Sequence, residues 1–147
     1  MATTADIPRA SAPWHLWAVG VIGLLWNGYG GYDYTMSHLQ GEAYYRQSGM
    51  TDAQIALMDT YPTWMHAVWA VGVWGAVAGS VLLLLRMRWA AHAFALSMVG
   101  VIGNILHTAL TPAARESMGL VFPLVIGAVT LFFLWYAWTM TKRGVLR

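Results

Sequence analysis

The chain has 147 residues, of which 59% are hydrophobic and only 10% are charged. Soluble domains carry about 25% charged residues, so this composition excludes an ordinary water-soluble domain. The absence of cysteine excludes disulfides, thiolate metal sites and cysteine nucleophiles. The net charge of +2 is small, and we expect no nucleic-acid partner.

Four apolar runs follow one another along the chain, and each is long enough to cross a bilayer, which takes about 20 helical residues. The predicted spans are residues 14–34, 64–85, 89–110 and 120–140. They leave no room for a separate soluble domain, so residues 1–147 form a single membrane domain. The short second and third connections force neighbouring spans to run antiparallel. The sequence therefore predicts an all-α fold, an integral membrane four-helix bundle with up-down-up-down topology.

The longest connection, residues 35–62, is expected to have structure of its own. Thr51 followed three residues later by Gln54 has the pattern of a capping box, which marks the start of a helix. A short helix over residues 52–60 is predicted, and Pro62 would end it. Its apolar residues favour a position on the surface of the membrane.

Lysine and arginine are unevenly divided between the two sides of the predicted bundle. One side carries six of them: Arg9, Arg86, Arg88, Lys142, Arg143 and Arg147. The other side carries Arg46 and Arg115. Cytoplasmic segments are enriched in these residues, so both termini are predicted to lie in the cytoplasm, and the connection 35–62 outside it.

Small residues recur at helical spacing along the first three spans. Because small residues allow helix backbones to approach closely, these glycines are predicted to pack helices, within the chain or between copies. They are Gly23, Gly30, Gly72, Gly75, Gly79 and Gly100. The fourth span lacks such a stripe and is expected to face lipid or a partner.

Five polar side chains are predicted to lie in one zone near the outer ends of the first three spans. They are Asn27, Asp33, His66, Asn104 and His107. Such a group could bind a divalent metal, relay protons, line a solute pocket, or form hydrogen bonds that fix helix register. No sequence-local metal motif accompanies the histidines, so we predict no metal and no cofactor. No nucleophile–base pair, phosphate loop or paired carboxylate is present, which predicts no catalytic residues and no enzyme activity.

A b-type haem is an alternative use of the histidines. His92 and His107 lie near opposite ends of the third span, where His15 could pair with the first and His66 with the second. The 15-residue spacing turns the two histidines of the third span roughly 60° apart, which argues against paired haem ligands.

Several motifs together resemble a known family. They are Leu25-Trp26-Asn27, Asp33-Tyr34-Thr35-Met36, Tyr61-Pro62-Thr63-Trp64, the run from Trp69 to Gly75, and Arg86-Met87-Arg88-Trp89-Ala90. On these motifs the chain resembles small four-span proteobacterial inner-membrane proteins, whose members are often labelled as sugar transporters. The resemblance implies a bacterial inner-membrane location and the four-span topology.

These observations favour a non-catalytic integral membrane protein. We expect an accessory or structural subunit of a larger inner-membrane assembly, or a homo-oligomer, with the lipid bilayer and either other membrane subunits or itself as partners. One alternative is a small-solute, sugar-like transporter or channel subunit that acts as an oligomer. A b-haem or metal-binding membrane protein is a second alternative.

Overall fold

A computed structural model describes residues 11–147; the predicted cytoplasmic Arg9 lies outside this range. Of the described residues, 83% are helical, and none belongs to a strand. The helices in chain order are α1 (Trp14–Gln40), α2 (Glu42–Gln47), α3 (Asp52–Asp59), α4 (Thr63–Leu84), α5 (Trp89–Leu110), α6 (Pro112–Met118) and α7 (Val121–Lys142). The predicted all-α class is confirmed.

Three helices are long and apolar enough to cross a membrane, and they are α4, α5 and α7. Each has 22 residues, and its bounds lie within two residues of those predicted for the second, third and fourth spans. Helix α1 has 27 residues but is not one of the three, because Asn27 and its many glycines and tyrosines lower its mean hydropathy. It also continues six residues past the predicted end at residue 34.

The four long helices pack in chain order. Helix α4 lies between α1 and α5 and packs extensively on both, and α5 packs in turn on α7. Helices α1 and α7 meet through side chains, since Leu16 and Phe133 belong to one buried core cluster with Leu83 and Phe94. The rings of Phe94 and Phe133 stack at a centroid distance of 5.5 Å, which joins α5 to α7 inside this core.

Glycines set the closest approach in the fold, between α4 and α5. A Cβ on Gly100 would overlap the backbone of Gly72 and would lie 2.7 Å from the Val68 carbonyl oxygen. A Cβ on Gly75 would lie 3.0 Å from the Ser97 amide nitrogen. At Gly100 the backbone of α4 occupies the space that a side chain would fill, so only glycine is accommodated there, and at Gly75 a side chain would be tightly crowded.

The remaining predicted packing glycines differ in their surroundings. A Cβ on Gly23 would lie 2.8 Å from the Phe133 ring, and one on Gly79 would lie 2.8 Å from the Phe94 ring. Gly30 has open space where its Cβ would be, so it does not pack helices within the chain, and packing between copies stays a prediction. The α4-facing side of α1 includes Asn27 and Gly31, and at 100° per residue Gly30 lies off that side.

Helices α4 and α7 end in the same way, which shapes one end of the molecule. Arg86 has φ +58°, its amide donates to the Leu83 carbonyl, and the next amide, of Met87, donates to Leu82. This is the Schellman ending, which places a left-handed residue just after the helix. Gly144 has φ +69° and ends α7 with the equivalent pair of bonds. The following residues turn back so that Val145 and Leu146 are buried.

The short helices form a cap at the opposite end. Thr51 and Gln54 make both bonds of the capping box at the start of α3. Tyr44, Tyr45 and Ile55 form a small buried cluster between α2 and α3, and the Gln54 amide donates to the Ser117 carbonyl at 2.9 Å. Helices α2 and α6 lie within connections in which the sequence analysis predicts no helix at those positions.

The α4–α5 contact leads to a stability prediction. Replacing Gly100 with alanine should destabilise the protein by about 1–3 kcal/mol, because the new methyl group meets backbone that cannot move aside. Gly28→Ala is the matched control, since its Cβ would enter open space and alanine favours helix by up to about 1 kcal/mol. Unfolding of both variants in the same mild detergent measures the difference. Equal stabilities would contradict the packing described here.

Candidate functional site

Asn27 joins α1 to α4. Its side chain is buried, and its amide donates a hydrogen bond to the Ser80 hydroxyl at 2.9 Å. The Ser80 hydroxyl in turn donates to the Ala76 carbonyl at 3.0 Å. Gly23 lies against the same serine one turn earlier in α1, so the helices are close enough for these short side chains to meet. The Asn27–Ser80 hydrogen bond therefore joins α1 to α4.

Ser97 forms a corresponding hydrogen bond between α5 and α4. Its side chain is fully buried, and its hydroxyl donates to the Gly72 carbonyl. The bond crosses the helix pair where Gly75 and Gly100 bring the two backbones together. The Gly72 carbonyl therefore accepts a hydrogen bond from a neighbouring helix. The small residues of both helices leave it sterically accessible.

Asp33 lies near the end of α1 and faces the cap rather than the other long helices. Its carboxylate accepts a hydrogen bond from the Tyr44 hydroxyl at 2.9 Å. Burial of Tyr44, together with the bond to the Asp33 carboxylate and its negative charge, raises the pKa of that phenol to about 12. Tyr44 therefore stays neutral and donates to Asp33 at physiological pH, which fixes α2 against α1.

His66 contacts a histidine that the sequence analysis does not select. The rings of His66 and His38 lie edge to face with centroids 5.2 Å apart. His38 also stacks near Tyr34 at 4.2 Å and near Trp69 at 5.7 Å. The Nδ1 of His38 is 2.8 Å from the Tyr34 carbonyl oxygen, so it is the protonated nitrogen that donates this bond. His38 joins the group because α1 continues to Gln40, which places His38 one helical turn after Tyr34.

His107 lies in a separate aromatic contact. Its ring is 5.1 Å from that of Tyr61 and 5.8 Å from that of Trp64, both edge to face. The Nδ1 atoms of His107 and His66 are both buried and have no hydrogen-bond partner within residues 11–147. Asn104 lies one turn before Thr108, whose hydroxyl donates to the Asn104 backbone carbonyl at 3.0 Å.

Four of the five predicted polar side chains thus take part in separate local contacts, and Asn104 accepts a bond through its backbone carbonyl. Asn27 bonds Ser80, Asp33 bonds Tyr44, and His66 and His107 lie against different aromatic rings. Within the described part of the chain, no group of three or more His, Cys, Asp or Glu side chains is placed to hold a metal ion.

The histidines that were considered as haem ligands contact other side chains. His15 hydrogen-bonds the Tyr136 hydroxyl and lies edge to face with Trp14. His92 is exposed, with its ring 5.1 Å from that of Trp89. At the other end, His66 contacts His38. These contacts give no haem-ligand arrangement for the pairs considered from the sequence.

Two depressions on the surface are shallow and apolar. One lies between α1 and α7 and is lined by Ile22, Trp26, Ala128, Val129, Phe132 and Phe133. The other lies on α7 and is lined by Ala128, Leu131, Phe132 and Trp135. None of these lining residues is ionisable, so neither depression contains an acid, a base or a charged ligand group.

Comparison with known proteins gives no relative: no protein-family model, no curated protein and no solved structure matches the chain.

The Asn27–Ser80 contact can be measured as an interaction energy. In a double-mutant cycle with Asn27→Ala and Ser80→Ala, we expect a coupling of about 0.6 kcal/mol and at most about 1.7 kcal/mol, as for other hydrogen bonds between membrane helices. Asn27→Ala combined with Thr108→Ala is the control and should be additive, because the Thr108 hydroxyl bonds only its own helix. Unfolding in mild detergent provides the energies, and a coupling no larger than that of the control would contradict the contact.

Proposed function

We propose that the chain is a non-catalytic integral membrane protein whose four long helices cross the bilayer as an up-down-up-down bundle. The apolar composition of α4, α5 and α7 supports three of the spans. Helix α1 is proposed as the fourth because it packs along α4 and places Asn27 against Ser80 inside the protein. Burying its amide in this way removes the main obstacle to α1 lying in the membrane.

The distribution of charge supports an orientation with both termini in the cytoplasm of a bacterial inner membrane. The Schellman endings of α4 and α7 share one end of the molecule, and the cationic residues within or beside these endings are Arg86, Arg88, Lys142, Arg143 and Arg147. The cap at the other end carries Arg46 and Arg115 together with acidic residues. The positive-inside rule then assigns the cap to the periplasmic side.

The cysteine-free sequence makes this orientation straightforward to test. Single cysteines replace Gln47 in the cap and Met87 in the α4–α5 turn, both of which are exposed. In intact cells with a permeable outer membrane, an impermeant maleimide should label Gln47→Cys and should label Met87→Cys only after lysis. The reverse pattern, or labelling of both positions in intact cells, would contradict the orientation.

The role that we propose is that of an accessory or structural subunit, in a larger inner-membrane assembly or a homo-oligomer. The observation that carries it is the exposed side of α1. Its half nearest the cap presents Tyr29 and Tyr32, with Gly28 and Gly30 facing open space, whereas α7 presents mainly leucine, valine, phenylalanine and tryptophan. Small residues let another helix approach closely, so this side of α1 suits a protein neighbour better than lipid.

The polar residues support the same role. Asn27, Ser80 and Ser97 form bonds between helices, and the depressions on the surface are apolar. A transporter would need polar groups along a path, and a haem or metal protein would need converging ligands. The contacts of these residues therefore favour a structural role over the solute-transport and haem or metal alternatives.

Isolation of the native protein in mild detergent, followed by mass determination and cross-linking, tests this role. We expect a stable complex larger than the 16.2 kDa chain. Gly30→Leu should weaken it, because the new side chain fills the open side of α1, whereas Ala128→Leu on the exposed side of α7 should leave it intact. A monomer without cross-linked partners, or equal behaviour of the two variants in a complex, would contradict the proposal.

A further inference from the structure

The residues after α7 are attached to the α4–α5 turn by backbone hydrogen bonds. The Arg147 amide donates to the Arg86 carbonyl at 2.8 Å, and the Arg88 amide donates to the Arg147 carbonyl at 2.7 Å. The Arg86 guanidinium also donates to the Val145 carbonyl at 3.3 Å. Two segments far apart in sequence are thereby fixed side by side. Together with Lys142 and Arg143, these three arginines form a surface that we call the basic end.

Four of the five cations of the basic end are exposed, and the acidic side chains within residues 11–147 lie away from these four. Arg88, Lys142, Arg143 and Arg147 are all exposed. The acidic side chains of the described residues lie toward the cap, and they are Asp33, Glu42, Asp52, Asp59 and Glu116. In the described range, both salt bridges are made by Arg46 in the cap. Among the described residues, these four exposed cations therefore concentrate positive charge at the basic end.

Aromatic residues surround the same end of the helices. Trp14, Trp17, Trp89 and Trp138 are all about half exposed or more. The Lys142 ammonium lies 5.6 Å from the centre of the Trp138 ring. Tryptophan concentrates at the boundary between the hydrocarbon core and the headgroups, so these rings place the neighbouring cations at headgroup depth.

We propose that the basic end binds the headgroups of anionic phospholipids in preference to zwitterionic ones, with Arg88 and Arg143 among the main contacts. A guanidinium group donates two parallel hydrogen bonds to a phosphate. The phosphate of a zwitterionic lipid lies beside a positive group of the same headgroup, and that group repels the arginine. The backbone bonds between the turn and Arg147 hold these charges together rather than on separate flexible segments. This inference rests on the proposed membrane location and adds the class of lipid that the cytoplasmic face selects.

Lipid competition on the full chain tests the proposal. Protein in mild detergent is mixed with equal amounts of phosphatidylglycerol and phosphatidylcholine of the same acyl chains, and native mass spectrometry counts the lipids retained. Wild type should retain mostly phosphatidylglycerol, and salt should reduce this preference. The double variant Arg88→Gln with Arg143→Gln should lose about 25-fold in that preference, since each basic residue near a charged membrane contributes about fivefold.

Two further variants make the result specific to the basic end. Arg46→Gln with Arg115→Gln changes the net charge equally but acts in the cap, and it should keep the wild-type preference. Arg88→Lys with Arg143→Lys keeps the charge and should restore most of the preference. Equal retention of both lipids by wild type, or equal losses in the two glutamine variants, would overturn the inference. Failure of wild type to enter vesicles of either lipid would instead overturn the proposed membrane function.

Discussion

The close contact between α4 and α5 is the constraint on which the rest of the structure depends. Gly72, Gly75 and Gly100 bring the two backbones so near that a methyl group on Gly100 would overlap the backbone of Gly72, and one on Gly75 would crowd that of Ser97. Once the backbones are this close, the short Ser97 side chain reaches a carbonyl of the neighbouring helix. The opposite side of α4 then receives α1, where Asn27 reaches Ser80 in the same way. Helix α4 therefore forms a hydrogen bond with α1 on one side and with α5 on the other.

This arrangement explains how polar groups are accommodated in helices that are otherwise apolar. A buried polar group without a partner is costly, and the cost is greatest where no water is present. Hydrogen bonds between helices satisfy Asn27 and Ser97, and the same bonds fix the rotation of one helix against the next. The two histidines with an unpartnered Nδ1 lie nearer the cap, against aromatic rings. The interior of the protein is thus organised for packing, in agreement with the structural role that we propose.

The two ends of the molecule have opposite electrical character, and each is built by tertiary contacts. In the cap, Tyr44 binds Asp33, and Arg46 pairs with Glu42 and Asp52. At the basic end, two left-handed residues, Arg86 and Gly144, end their helices and allow the last residues to pair with the α4–α5 turn. The asymmetry supports both the proposed orientation and the proposed selection of anionic lipid.

The sequence by itself determined the local elements. The apolar runs predicted α4, α5 and α7 to within two residues, and Thr51 with Gln54 predicted the start of α3, because hydropathy and capping depend on residues that are close in the chain. Continuation of α1 past residue 34 could also have been recognised, since residues 35–40 contain no glycine or proline.

Only the tertiary structure decided which side chains meet. Spacing predicted Asn27, His66 and His107 in one zone near the outer ends, but the rotation and axial position of α1 direct Asn27 to Ser80 and His66 to His38. Ser80 follows His66 by 14 residues, so Asn27 lies about 21 Å along α4 from His66. Rotation also leaves Gly30 facing open space while Gly23 contacts Phe133. A helix's rotation is set by the shapes of its neighbours, which the spacing of its own residues does not specify.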